Sequence, residues 1–143
     1  ERDGDERGPP RVILDTNVFV AAGFNPRSAS ARLLEAARAG RLAVVWTPAT
    51  RKETAAVLAR IPRLGAGVLE EVLDPADRFD GAVDPGRAAF VEDPEDRKFA
   101  ALAMASGATL LTNDAHLLDH PARGYRVATP GAFLRAHPRI ARG

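Results

Sequence analysis

Asp15, Glu53, Asp96 and Asp114 share one kind of position: each follows an apolar, strand-like run or stands in the opening turns of a helix. Asp15 comes directly after Val12-Ile13-Leu14, and Asp114 comes shortly after Leu110-Leu111. Glu53 stands in the helix after Leu42 to Trp46, and Asp96 opens the helix that carries Phe99 to Met104. In an open α/β sheet the strand ends converge on one crevice. Carboxylates gathered there repel one another unless a cation sits among them. The simplest cation for oxygen donors is a hard dication such as Mg2+ or Mn2+, which takes one or two carboxylates directly and keeps several waters. A set of four acids therefore holds either two ions or one ion with acids in an outer shell. Either arrangement lowers the pKa of a bound water and neutralises charge on a phosphate, which is the chemistry of phosphodiester hydrolysis.

Each acid also has a plainer reading. Asp93 and Asp96 stand at a helix start, where either caps the helix or meets its dipole. Asp93 is close enough in sequence to share or replace the role of Asp96. Asp114 after Thr112-Asn113 fits an ordinary turn, and a Glu in a first helical turn, as at Glu53, is commonplace. Asp15 is the hardest to explain by turn chemistry, and the case rests on the set. Thr16, Asn17 and Thr112 either orient the acids or a bound water by hydrogen bonds, or satisfy local turns. His116, His120 and His137 have no metal-ligand spacing and read as surface residues. Trp46 ends a strand and reads as core. The chain has no G-x-S-x-G, no phosphate-binding loop and no G-x-G-x-x-G.

The elements that position these acids are legible from pattern. Arg11 to Leu14 reads as the first strand, Leu42 to Trp46 as the second, Ala108 to Leu111 as the third and Tyr125 to Ala128 as the last. Ala88 to Val91 is a candidate short strand. Ser28 to Ala39 reads as a helix closed by Gly40. Thr47-Pro48 is a cap followed by proline at the first helical position, opening a helix that runs to about Ile61. Val68 to Leu73 is a weaker helix, and Asp74 to Asp84 carries mixed turn signals. Asp93-Pro94 opens the clearest helix, ended by Gly107, and Thr129-Pro130 opens the last. Strands alternating with helices predict an α/β fold: a three-layer α/β/α sandwich with a central parallel sheet. One domain spans residues 11–136, between a charged, Gly- and Pro-containing tail at 1–10, read as disordered, and a tail at 137–143.

Composition narrows the class. A 143-residue chain with 45% hydrophobic and 27% charged residues suits one folded domain. Its apolar runs are far too short to cross a bilayer, which takes roughly 20 residues, and its start lacks the apolar core of a signal peptide. The absence of cysteine removes disulfides and thiolate metal sites and agrees with a reducing cytoplasm. A net charge of +1 argues nothing about nucleic acid. Distribution says more: Arg51, Lys52, Arg60 and Arg63 fall in one segment, and Arg123, Arg126, Arg135, Arg139 and Arg142 crowd the C-terminal end. They are either solvated helix faces or phosphate-contacting rims around an acidic centre.

With these residues in hand, the chain resembles PIN-domain ribonucleases of the VapC type, the toxins of toxin–antitoxin pairs. The matching stretches are Leu14-Asp15-Thr16-Asn17-Val18, Glu53 ahead of Val57-Leu58-Ala59-Arg60, Asp93 to Ala103, Leu111-Thr112-Asn113-Asp114 and Thr129 to Leu134. They span about residues 11–135. The chain departs from the family pattern at Lys52 and Thr54, where relatives often place an apolar neighbour beside the Glu. The resemblance implies a Mg2+- or Mn2+-dependent endoribonuclease whose acids match Asp15, Glu53, Asp96 and Asp114, with Asn17 and Thr112 in support. It also implies an RNA substrate, homodimerisation and inhibition by a cognate antitoxin. Asp15 and Asp96 would anchor the metal, Asp114 would complete the cluster, and Glu53 would hold a metal-bound water or a second ion. Two alternatives stand beside this reading. One is a catalytically silent PIN-like scaffold that binds RNA or protein. The other is an acid-based phosphatase, which normally needs a second Asp two residues after the first, where this chain has Asn17.

Overall fold

The computed structural model describes residues 8–119 and 124–141. Of the expected tail at 1–10, Glu1 to Arg7 lie outside the described residues, as do His120, Arg123 and Arg142. Four short strands, β1 (Arg11–Leu14), β2 (Ala43–Val44), β3 (Thr109–Leu111) and β4 (Val127–Ala128), form one sheet in the order β2-β1-β3-β4. Every pairing is parallel, with Ile13 opposite Leu110 and Leu14 opposite Leu111.

The strands carry apolar residues on both faces, as a sheet covered on both sides must. Val12, Leu14 and Leu111 face one core together with Phe19, Leu33, Leu58, Leu69 and Phe133. Ile13 and Leu110 face a second core with Phe99, Leu102, Leu117 and Tyr125. The first core is covered by helices α1 (Thr16–Phe24), α2 (Ala29–Arg38), α3 (Pro48–Ala59), α4 (Val68–Val72), α7 (Pro130–Ala136) and α8 (Pro138–Ala141). The second is covered by α5 (Pro94–Ser106) and α6 (Ala115–Leu118). The expected α/β/α layering is present. Among the described residues no helix is long and apolar enough to cross a membrane.

Helix starts follow their capping residues. Ser28, Thr47 and Thr129 accept hydrogen bonds from the amides of Ala31, Thr50 and Ala132, and Asp93 accepts one from Glu95. Each satisfies an amide the helix itself leaves unpaired. Gly107 ends α5 at φ 78°, a left-handed conformation that a side chain disfavours.

Four local expectations differ from the structure. Helix α1 occupies Thr16–Phe24, a stretch to which the pattern had assigned no element. Ala88 to Val91 is no strand: Pro85–Ala88 is a 3-10 helix, and a turn follows in which the Val91 amide donates to the Ala88 carbonyl at 2.9 Å, with Ala88 and Val91 both buried. The second and last strands are shorter than the expected Leu42 to Trp46 and Tyr125 to Ala128, although Val45 still donates to the Val12 carbonyl at 2.7 Å. Residues beyond 136 do not trail away as a tail: α8 turns back and Ile140, 4% exposed, joins the first core.

The topology fixes where a site belongs. From β1 the chain crosses to β2 on one side, and the later strands β3 and β4 lie on the other. The sheet therefore changes winding direction between β1 and β3, and the crevice outside their carboxyl ends is where such folds bind ligands. Asp15 and Thr112-Asn113-Asp114 are the residues that leave those two ends.

Candidate active site

Asp15 leaves β1 into the crevice and is 1% exposed. Its backbone amide still pairs with Leu111 at 3.1 Å, so the carboxyl end of β1 is locked to that of β3. Its carboxylate accepts a 2.6 Å hydrogen bond from the hydroxyl of Thr112, which is fully buried. The same Thr112 oxygen accepts from the Asp114 amide at 2.9 Å, which sets the turn after β3. Burial pushes the Asp15 pKa above the usual range. The Thr112 hydroxyl and the amide of Asn17 oppose this, and the charge of Asp114 reinforces it.

Asp96 comes to the same place from the other face of the sheet, on the first turn of α5. Its pKa is pushed up to about 7. Partial burial is the largest cause, followed by the charges of Asp15, Asp93 and Asp114 and a hydrogen bond shared with Asp114. Three carboxylates from β1, the turn after β3 and α5 thus meet closely enough to control one another's protonation. Asp93 contributes charge from the rim, but its side chain caps α5 through the Glu95 amide at 2.9 Å. Asp114 likewise accepts from the His116 amide at 2.9 Å and caps α6. Capping and cluster membership are both true of Asp114.

Glu53 is placed differently. It interacts chiefly with the α5 residues Lys98 and Glu95, and the three aspartates are not among the groups that shift its pKa. Lys98 Nζ lies 3.4 Å from Glu53 Oε1 and 3.4 Å from Glu95 Oε1. Burial and the hydrogen bond with Glu95 raise the Glu53 pKa, and Lys98 opposes them. Asn17 sits exposed on the first turn of α1 with its backbone amide toward Asp15. The roles of two residues were not read from the sequence, although Thr54 had stood out there as a departure from the family pattern. Lys98 stands three residues after Glu95 and bridges α5 to α3. Thr54, 2% exposed, shares a 2.8 Å hydrogen bond with Thr16. Its polarity at a position suited to an apolar side chain was the available signal.

The donor set fits a hard dication: it is all carboxylate oxygen, and burial together with the surrounding negative charge makes Asp96 resist ionising. As they stand, no three His, Asp or Glu side chains among the described residues close around one ligating point. Two of the clustered basic residues are engaged with aromatic rings. Arg51 stacks over Trp46 at 5.5 Å and Arg63 over Phe24 at 5.1 Å. Trp46 itself is 8% exposed and donates to the Asp74 carbonyl at 2.8 Å, a core role. His116 is exposed, and His137 is half-buried, stacked on Phe133 at 4.0 Å.

Residues 11–116 match the family model described as PIN domain. The chain is a PIN domain. Members of this family are typically nucleases that use a divalent metal, and the aspartates described above lie inside the matched stretch. The fold also resembles the crystal structure of PAE2754 from Pyrobaculum aerophilum, with a TM-score of 0.55 and 18% identity over 94% of this chain and 99% of that one. At that identity the likeness concerns the fold of this PIN domain alone. No curated protein matches the chain.

Proposed function

We propose that this PIN domain is a Mg2+- or Mn2+-dependent endoribonuclease acting in the cytoplasm as the toxin of a type II toxin–antitoxin pair. The observation that carries the nuclease reading is the meeting of Asp15, Asp96 and Asp114 outside the carboxyl ends of β1 and β3, where partial burial and then the charges of its acidic neighbours push the Asp96 pKa up to about 7. A site that resists completing its own ionisation is one that gains by taking up a cation. These three aspartates would hold the ion, with Glu53 serving from α3. Bound there, the dication supplies a water of lowered pKa and offsets charge on the phosphate.

The chain's own residues do the rest. Thr112 fixes the Asp15 carboxylate, Asp96 gives up its proton as cation arrives, and rim arginines position the RNA backbone without reading bases. Sequence choice would fall on unstacked bases of a single strand. The toxin role, the homodimer and the antitoxin partner rest on the resemblance to VapC-type proteins. The test is incubation of a defined single-stranded RNA with Mg2+ or Mn2+, with and without chelator. Metal-dependent internal cleavage is expected. Binding without cleavage would instead favour a silent scaffold, and release of phosphate from a simple ester would favour a phosphatase.

A further inference from the structure

Lys98 stands between two carboxylates, at 3.4 Å from each of Glu53 and Glu95. The inner pair is largely covered, with side-chain exposures of 26% for Lys98 and 20% for Glu53, whereas Glu95 is 62% exposed. Exposed ion pairs hold their side chains weakly, and covered ones are screened less. Lys98 and Asp96 are two residues apart on α5 and so leave the helix on different sides. The ammonium therefore joins α3 to the same helical turn that carries Asp96. One residue further along α3, Thr54 shares its buried 2.8 Å hydrogen bond with Thr16, the neighbour of Asp15. Helix α3 is thus tied at Thr54 to the strand end bearing Asp15, and at Glu53 to the helix bearing Asp96.

We infer that Lys98 is a positioning residue of this nuclease site: by clasping Glu53 to α5 it fixes where that carboxylate stands relative to Asp15, Asp96 and Asp114, and thereby the grip on the dication. The inference rests on the nuclease reading above. Without the ammonium, Glu53 and Glu95 face each other as two carboxylates in contact, and mutual repulsion drives Glu53 away. Its two carboxylate partners already engage Lys98, which favours this role over a direct contact to an RNA phosphate.

The test compares wild type, K98M, K98R, E53Q and the K98M/E53Q double variant. Two quantities are read: Mn2+ binding, from the electron paramagnetic resonance signal of the free ion, and cleavage of a defined single-stranded RNA. K98M should weaken Mn2+ binding and lower kcat, each by about tenfold, the scale on which partners behind metal ligands act. KM should hardly move, K98R should recover most of the loss, and the double variant should be no worse than E53Q alone. K98Q replaces K98M should the methionine variant fail to fold. Wild-type behaviour in K98M overturns the inference. So does a loss carried by KM, additive with E53Q and with Mn2+ binding intact, because that marks a phosphate contact. Asp15→Asn is measured alongside. If the wild type cuts with Mn2+ and Asp15→Asn does not, the nuclease reading stands and a silent K98M removes only the role of Lys98. If the wild type neither binds Mn2+ nor cuts, the nuclease reading falls and takes this inference with it.

Discussion

Thr112 donates its hydroxyl to Asp15 across 2.6 Å, joining residues 97 positions apart at the ends of two adjacent parallel strands. The bond is buried on both sides, and the Thr112 oxygen also receives the Asp114 amide. One hydroxyl thus fixes the orientation of one site acid and the backbone of another.

Replacing Thr112 tests that relay. Thr112→Val leaves the Asp15 carboxylate without its side-chain donor and the Asp114 amide without an acceptor. Unsatisfied buried polar groups cost about 1–3 kcal/mol each, so denaturant melts should show a loss of at least that size. Thr112→Ser keeps both bonds and should retain most of the stability and activity. A valine variant as stable as the wild type would refute the relay.

Asp15→Asn should abolish cleavage while keeping the fold. The amide oxygen still accepts from Thr112, and the change removes a charge that burial and Asp114 disfavour. In metal-free protein the melting midpoint should stay within a few degrees of wild type, the shift that about 1 kcal/mol produces in a domain of this size. A large drop would make Asp15 a structural residue.

The stability of the metal-free protein should fall as pH rises from about 4 to about 7. In the unfolded chain Asp96 ionises near 3.8, whereas in the folded protein it holds its proton to about 7. Between those values the folded state binds more protons, so each step up in pH favours unfolding. The raised pKa of Asp15 acts in the same direction. Melting midpoints across that range should show the decline, and Asp96→Asn should flatten it. A pH-independent midpoint in the wild type would contradict the shared cluster.

Millimolar Mg2+ or Mn2+ should raise the midpoint, because an ion bound only by the folded state stabilises it by about 2.7 kcal/mol at one hundred times its dissociation constant. The gain should grow above pH 7, where Asp96 no longer competes for its proton. Asp96→Asn should remove most of it. A wild type indifferent to metal at pH 8 would count against the site.

RNA binding should weaken linearly with the logarithm of salt concentration, since arginine contacts to phosphate release counterions. A flat response in a binding titration would remove the basic rim from the account.

How far the sequence led can be seen in particular elements. Helices α2, α3, α5 and α7 were legible because Ser28, Thr47, Asp93 and Thr129 are local signals, acting within three residues of themselves. Helix α1 was not: Thr16 to Phe24 is rich in β-branched and aromatic residues and becomes helical because Val18 and Phe19 must pack into the first core. Ile140 was invisible for a related reason, since a single apolar residue among arginine and proline carries no periodicity. The gathering of Asp15, Asp96 and Asp114 was readable from their places beside strand ends and a helix start. The position of Glu53 was not, because it depends on how α3 packs on α5 and on Lys98, forty-five residues away.

The most direct test of the central claim is anomalous diffraction from crystals soaked in Mn2+. The account predicts one strong peak coordinated by Asp15, Asp96 and Asp114 at the carboxyl ends of β1 and β3, lost in Asp96→Asn. A peak bound elsewhere, or none at millimolar Mn2+ above pH 7, would contradict it.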